Sequence, residues 1–194
     1  MELKREYNGK TYYRNNSKWV DEDCLVVPAY LQNILNTLTY NENNAYDMSY
    51  EEAKKEGDKC KKSETYLLAI KYYECALKKA DSFRRVSVVL PRITSCYRKT
   101  NQPQKVIELL SDMKAQYGEA IINEALLTSV AAAYCDLCEP ENAIKCCKWA
   151  YKVLKTNTSE SSFELANVFI RANKMIDPDY DNETYFENLE NKKR

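Results

Sequence analysis

Histidine is absent from this sequence, and that absence excludes more chemistry than any other feature of the composition. Imidazole is the commonest metal ligand and a frequent general base near neutral pH. Without it there is no Ser-His-Asp or Cys-His nucleophile system and no His-based zinc or haem site. Glycine is nearly as scarce: Gly9, Gly57 and Gly118 are the only three, and they lie far apart. A phosphate-cradling Walker loop and a dinucleotide fingerprint both need clustered glycines, so neither is present. Charge of one sign is missing too, with 29 basic residues against 29 acidic ones. A chain held on nucleic acid by phosphate neutralisation needs a basic surplus, so nucleic acid is not an expected partner. No long apolar run occurs, and Met1-Glu2-Leu3-Lys4-Arg5-Glu6 lacks the core of a signal peptide. The expectation is a cytoplasmic protein, bacterial in this reading, with no membrane partner and its eight cysteines held as thiols.

What is present describes a folded chain. Hydrophobic residues make up 44% and charged residues 30% of 194 positions, enough for one domain with a small appendage. Residues 1–44 read as that appendage. Lys10-Thr-Tyr-Tyr-Arg14 and Lys18-Trp-Val20 flank the turn Asn15-Asn16-Ser17 and predict a hairpin, with Cys24-Leu-Val-Val27 a candidate third strand. Pro28 opens a helix carrying Leu31, Ile34, Leu35 and Leu38, and the polar run Asn41–Asn44 is the expected internal boundary.

From Ser49 onward the pattern is helical throughout. The spacing predicts helices over 49–61, 64–80, 85–99, 103–116, 120–137, 140–155 and 160–174. Ser49 and Glu52 make a capping box, and Pro103 and Pro140 stand at helix starts. These helices repeat with a period of 37 residues. The columns are Gly57/Thr94/Ala131, Cys60/Tyr97/Tyr134, Ala69/Val106/Ala143, Tyr73/Leu110/Cys147 and Ala76/Met113/Ala150. Small residues let paired helices approach, and larger ones fill the holes between them.

A small residue with an aromatic three positions later, followed by Ala-x-x-x-aromatic-x-x-Ala in a second helix, resembles the tetratricopeptide repeat (TPR) family. Gly57…Cys60…Ala69…Tyr73…Ala76 and Ala131…Tyr134…Ala143…Cys147…Ala150 carry the resemblance. The period is three residues longer than the family's 34, Ala53, Leu90 and Leu127 replace its early Trp, and its closing Pro is missing. The resemblance implies a mainly α fold, a right-handed α-α superhelix (a TPR-like solenoid) with the N-terminal β-hairpin and helix attached. Its repeats would span about 50–86, 87–123 and 124–160, within a region 45–176 closed by a capping helix at 160–174. An acidic-aromatic tail, 177–194, would follow.

The resemblance also implies function: a non-catalytic module that binds a protein or peptide, possibly acidic, in a groove lined by the first helix of each pair. The expected groove residues are Lys54, Asp58 and Lys61, then Arg92, Ser95 and Arg98, then Thr128 and Ala132. The carboxylate clamp of some family members is not expected, because Asp58, Arg92, Ala125 and Ser129 stand where its Asn and cationic residues belong. No cofactor is expected. Bacterial peptide-sensing regulators use similar repeats, so a peptide-responsive regulatory protein is the alternative. A third reading starts from Cys135, Cys138 and Cys146, which could hold zinc or act as a redox pair. Tyr180, Tyr185 and Phe186 in the tail suggest docking, and residues 177–190 are expected to compete for the chain's own groove.

Overall fold

Asn8 and Gly9 both have left-handed backbones, φ 51° and 72°, which makes them the central pair of a two-residue turn whose twist matches the strands beside it. That turn joins β1 (Lys4–Tyr7) to β2 (Lys10–Asn15), and β3 (Lys18–Val20) completes an antiparallel sheet in the order β1-β2-β3. The computed structural model describes residues 4–16, 18–39, 48–157 and 163–181, without the side chains of 38, 39 and 155–157. The expected β2–β3 hairpin is present, with Arg14 opposite Trp19. The expected strand at Cys24–Val27 is reduced to one bridge, Val26 to Val20, and the third strand instead comes first in the chain. Asp21 causes this. Its carboxylate accepts from the Asp23 and Leu25 amides, curling the chain into a turn where it would have to extend.

The helix expected after Pro28 is α1 (Ala29–Thr39). Its Gln32 closes the edge of β3, accepting from the Trp19 amide at 2.8 Å and donating to the Trp19 carbonyl at 2.7 Å. A side-chain amide thus takes the place of a neighbouring strand. Tyr12, Trp19, Val27, Leu31 and Leu35 form the core beneath. Next come α2 (Tyr50–Lys62) and α3 (Tyr66–Lys78), and α1 packs on α3. These elements form one compact unit, Met1–Ala80; the other is Asp81–Arg194. The boundary expected at Asn41–Asn44 lies outside the described residues. The first helical pair shares its unit with the sheet because α1 buries Leu31 and Leu35 and lies against that pair.

The second unit contains α4 (Phe83–Lys99), α5 (Pro103–Tyr117), a 3-10 turn (Gly118–Ile121), α6 (Glu124–Asp136), α7 (Pro140–Asn157) and α8 (Phe163–Ile176). The helix expected over 120–137 starts four residues late. Gly118, at φ 65°, ends α5, and the Asn123 side chain then caps α6 by accepting from the Leu126 amide at 2.9 Å.

The 37-residue period is visible in the backbone as well as in the side chains. The second helices of the pairs begin at Tyr66, Pro103 and Pro140. Each first helix ends in the same Schellman motif, with the left-handed residue at Glu64, Asn101 or Cys138 (φ 59°, 57° and 60°). Thr65, Gln102 and Glu139 donate back to the carbonyls of Cys60, Tyr97 and Tyr134 at 2.8–2.9 Å, so the expected aromatic column is also the hydrogen-bonded end of each first helix. The small column, Gly57, Thr94 and Ala131, is buried in all three pairs, as are Ala69, Val106 and Ala143. Cys60 and Tyr134 in the aromatic column, and Leu110 and Met113 of α5, are half-buried.

Gly57 is the tightest of these contacts. A Cβ there would stand 2.6 and 2.7 Å from two ring carbons of Tyr73. The Tyr73 hydroxyl donates to Asp58 at 2.7 Å, which fixes the ring over the glycine. Among the described residues no helix is long and apolar enough to cross a membrane.

Candidate functional site

The expected groove residues fall into both units, and their surroundings differ from what the sequence suggests. In the first unit, Lys54 pairs with Asp58 along α2 at 2.7 Å, and Asp58 also accepts from Tyr73 and so joins α2 to α3. Lys61 is half-buried on the same helix. In the second unit, Arg98 Nε donates to Asp136 at 2.7 Å, and Arg171 of α8 reaches the other oxygen of that carboxylate at 2.8 Å. Arg98 therefore already has the carboxylate that a ligand was expected to bring. Ser95 is half-buried nearby.

Thr128 and Ala132 need correcting as contact residues. Each is only 2% exposed. Ala132 and Cys135 lie in a core with Leu165, Val168, Phe169 and Ala172 of α8, and Thr128 turns its hydroxyl to Glu124 at 3.1 Å. The expected capping helix therefore covers part of the face that the third repeat was expected to offer. The tail contributes here as well: Tyr180 sets its ring edge-on to Phe169, 6.4 Å between centroids. Tyr185 and Phe186, with the expected docking segment from residue 182 onward, lie outside the described residues.

Arg92 differs from these because it lines an open hollow of about 370 Å³ with Ser87, Val88, Pro91, Glu124 and Ala125. Proline inside a helix has no amide hydrogen to offer the carbonyl four residues back. At Pro91 that carbonyl is Ser87, and Asn123 Nδ2 donates to it at 3.0 Å. Asn123 thus caps α6 with its oxygen and repairs α4 with its nitrogen. Arg92 donates to the Val88 carbonyl, which keeps its guanidinium along the helix at the edge of the hollow. Val88 is 40% exposed and supplies an apolar wall. Arg92 is among the expected groove residues and Asn123 is not, although its position one residue before Glu124 is an N-cap signal.

The cysteines do not form a reactive cluster. Cys135 and Cys147 are buried in the α6–α7–α8 core, Cys146 is half-buried and Cys138 is exposed at the left-handed cap. Burial pushes the Cys146 thiol up to about 11 and raises those of Cys147 and Cys135 as well. Each of these shifts favours the neutral thiol over the nucleophilic thiolate. Among the described residues no three cysteine, aspartate or glutamate side chains come together as they would around a metal ion.

A second, larger recess of about 640 Å³ lies wholly in the first unit, between the sheet, α1 and the end of α2. No sequence pattern marks it, because its walls come from three separate segments. Comparison with family models, with curated proteins and with solved structures finds no match to this chain.

Proposed function

We propose that this chain is a non-catalytic binding module of TPR-like helical repeats, and that it binds a protein or peptide at the Pro91 hollow of α4. The right-handed superhelical arrangement that the resemblance implies belongs to the same proposal. The observation that carries the reading is the conjunction at α4. Arg92, an expected contact residue, stands beside exposed Val88 at an open hollow of about 370 Å³. Its ligand is an acidic side chain set beside an apolar one, the carboxylate meeting Arg92 and the apolar group resting on Val88 and Pro91. Glu124 on the opposite wall discriminates against a second acidic residue at that point.

Selection of a displayed random-peptide library tests this. Wild-type protein should enrich peptides with one acidic residue next to an aliphatic or aromatic one, and Arg92→Glu should lose them. No enrichment with wild type, or the same peptides with Arg92→Glu, refutes the site.

A further inference from the structure

Among the described residues of the first unit, one half-buried cation has no carboxylate to match it. Arg14 of β2 sits with its guanidinium carbon 5.5 Å above the ring of Trp19, which is itself fully buried. Its Nη1 donates to Asn36 of α1, a neutral amide only 5% exposed, and Asn36 also accepts from Trp19 Nε1 at 3.0 Å. Among the described residues no carboxylate lies within ion-pair distance of Arg14 or Lys18. Both line the recess of about 640 Å³, where among the described residues Lys59 is the third cation and Glu64 the one acidic residue. Val26, Val27 and Leu68 make an apolar wall. A half-buried guanidinium held in place by an aromatic face and a buried amide costs desolvation that no described residue of the unit offsets with opposite charge.

We infer that this recess is a binding site for a carboxylate attached to an apolar body, with Arg14 and Lys18 taking the carboxylate and Val26, Val27 and Leu68 the body. A planar guanidinium matches a two-oxygen carboxylate, and the volume is that of a small-molecule pocket. The lining contains no glycine and so lacks the backbone nest that polyphosphates use. The site is separate from the Pro91 hollow and stands without it. Its carboxylate comes either from a free aliphatic acid or from an acidic peptide side chain.

Trp19 reports on the site, because a ligand that engages Arg14 alters the cation over its ring. In a Trp149→Phe background Trp19 is the only tryptophan. The full chain is titrated at low salt with adipate, with the blocked peptide acetyl-Leu-Glu-Leu-Glu-amide, with its glutamine counterpart and with inorganic phosphate. Saturable Trp19 quenching by adipate assigns a free acid, and quenching by the glutamate peptide alone assigns a peptide. The glutamine peptide should leave the signal flat. Lys18→Gln should weaken binding about 3-fold, as for an exposed pair, and Arg14→Gln at least about 10-fold, as for a charged hydrogen bond. Arg92→Glu should change nothing. Lys18 is exposed, so its variant keeps the test sound should Arg14→Gln not fold. Absence of saturable quenching by either carboxylate, binding of phosphate alone, or affinity that falls with Arg92→Glu but not with Lys18→Gln overturns the inference.

Discussion

Replacing Gly57 by alanine should destabilise this protein, although the same change in most helices stabilises. In an exposed helix interior the substitution gains about 1 kcal/mol, because glycine loses more backbone freedom and leaves the helix less shielded. Here the new methyl would stand 2.6 Å from a Tyr73 ring carbon, well inside contact distance. Tyr73 has nowhere to go, since it is fully buried and its hydroxyl is held by Asp58 at 2.7 Å. Overpacking of a well-filled contact costs about 1–3 kcal/mol. Swinging the ring out of the way forfeits a charge-assisted hydrogen bond worth about 1.5–3 kcal/mol. Subtracting the helical gain leaves a net loss of about 0.5–2 kcal/mol by the hydrogen-bond route, or roughly 1–8 °C in Tm for a chain of this size. Urea denaturation followed by circular dichroism measures it. The double variant Gly57→Ala/Tyr73→Leu supplies the control, because the smaller side chain makes room for the methyl. The cycle should return a favourable coupling of about 1–3 kcal/mol. Stabilisation by Gly57→Ala alone would falsify the close approach of α2 and α3.

Asn123→Ala should cost about 2–3 kcal/mol in chemical denaturation, because it removes a helix cap and leaves the Ser87 carbonyl unpaired. Asn123→Asp keeps the cap and should lose only the second part. Cys138→Gly should raise stability by about 0.5–1 kcal/mol, since residue 138 sits at φ 60°, where a side chain is strained. A thiol reagent on native protein should modify Cys24 and Cys138 quickly, and Cys96 and Cys147 only on unfolding, as liquid chromatography and mass spectrometry would show. The Cys146 thiol, pushed up to about 11, stabilises the fold fully below the unfolded thiol value of about 8.5, and that contribution is lost as pH rises through 11. Cys146→Ala should therefore flatten the fall in Tm across that alkaline window.

The helices were legible because their signals are local. Ser49 and Glu52, Pro103 and Pro140 mark starts that the structure reproduces, and the small column at 57, 94 and 131 is buried throughout. The sheet was half legible. The turn at Asn16 is among the expected ones, whereas Asn8-Gly9, the stronger hairpin signal of the two, is not. The candidate sites were the least legible part, for a physical reason. A periodic stripe gives the face on which Arg98, Thr128 and Ala132 stand, but not what covers that face. Asp136 comes from a different helix to hold Arg98, and α8 comes from the end of the chain to bury Ala132. The environment of Arg14 depends likewise on Trp19 and Asn36, which are remote from it in the sequence or on another element.

Binding of an acidic-apolar peptide at α4 is the central functional claim, and nuclear magnetic resonance tests it most directly. A peptide enriched by the wild-type selection, titrated into ¹⁵N-labelled protein, should shift the amides of Val88, Arg92, Glu124 and Ala125 first and most. Those shifts should vanish with Arg92→Glu while the rest of the spectrum stays the same. Shifts centred elsewhere, or shifts at α4 that survive Arg92→Glu, would contradict the account.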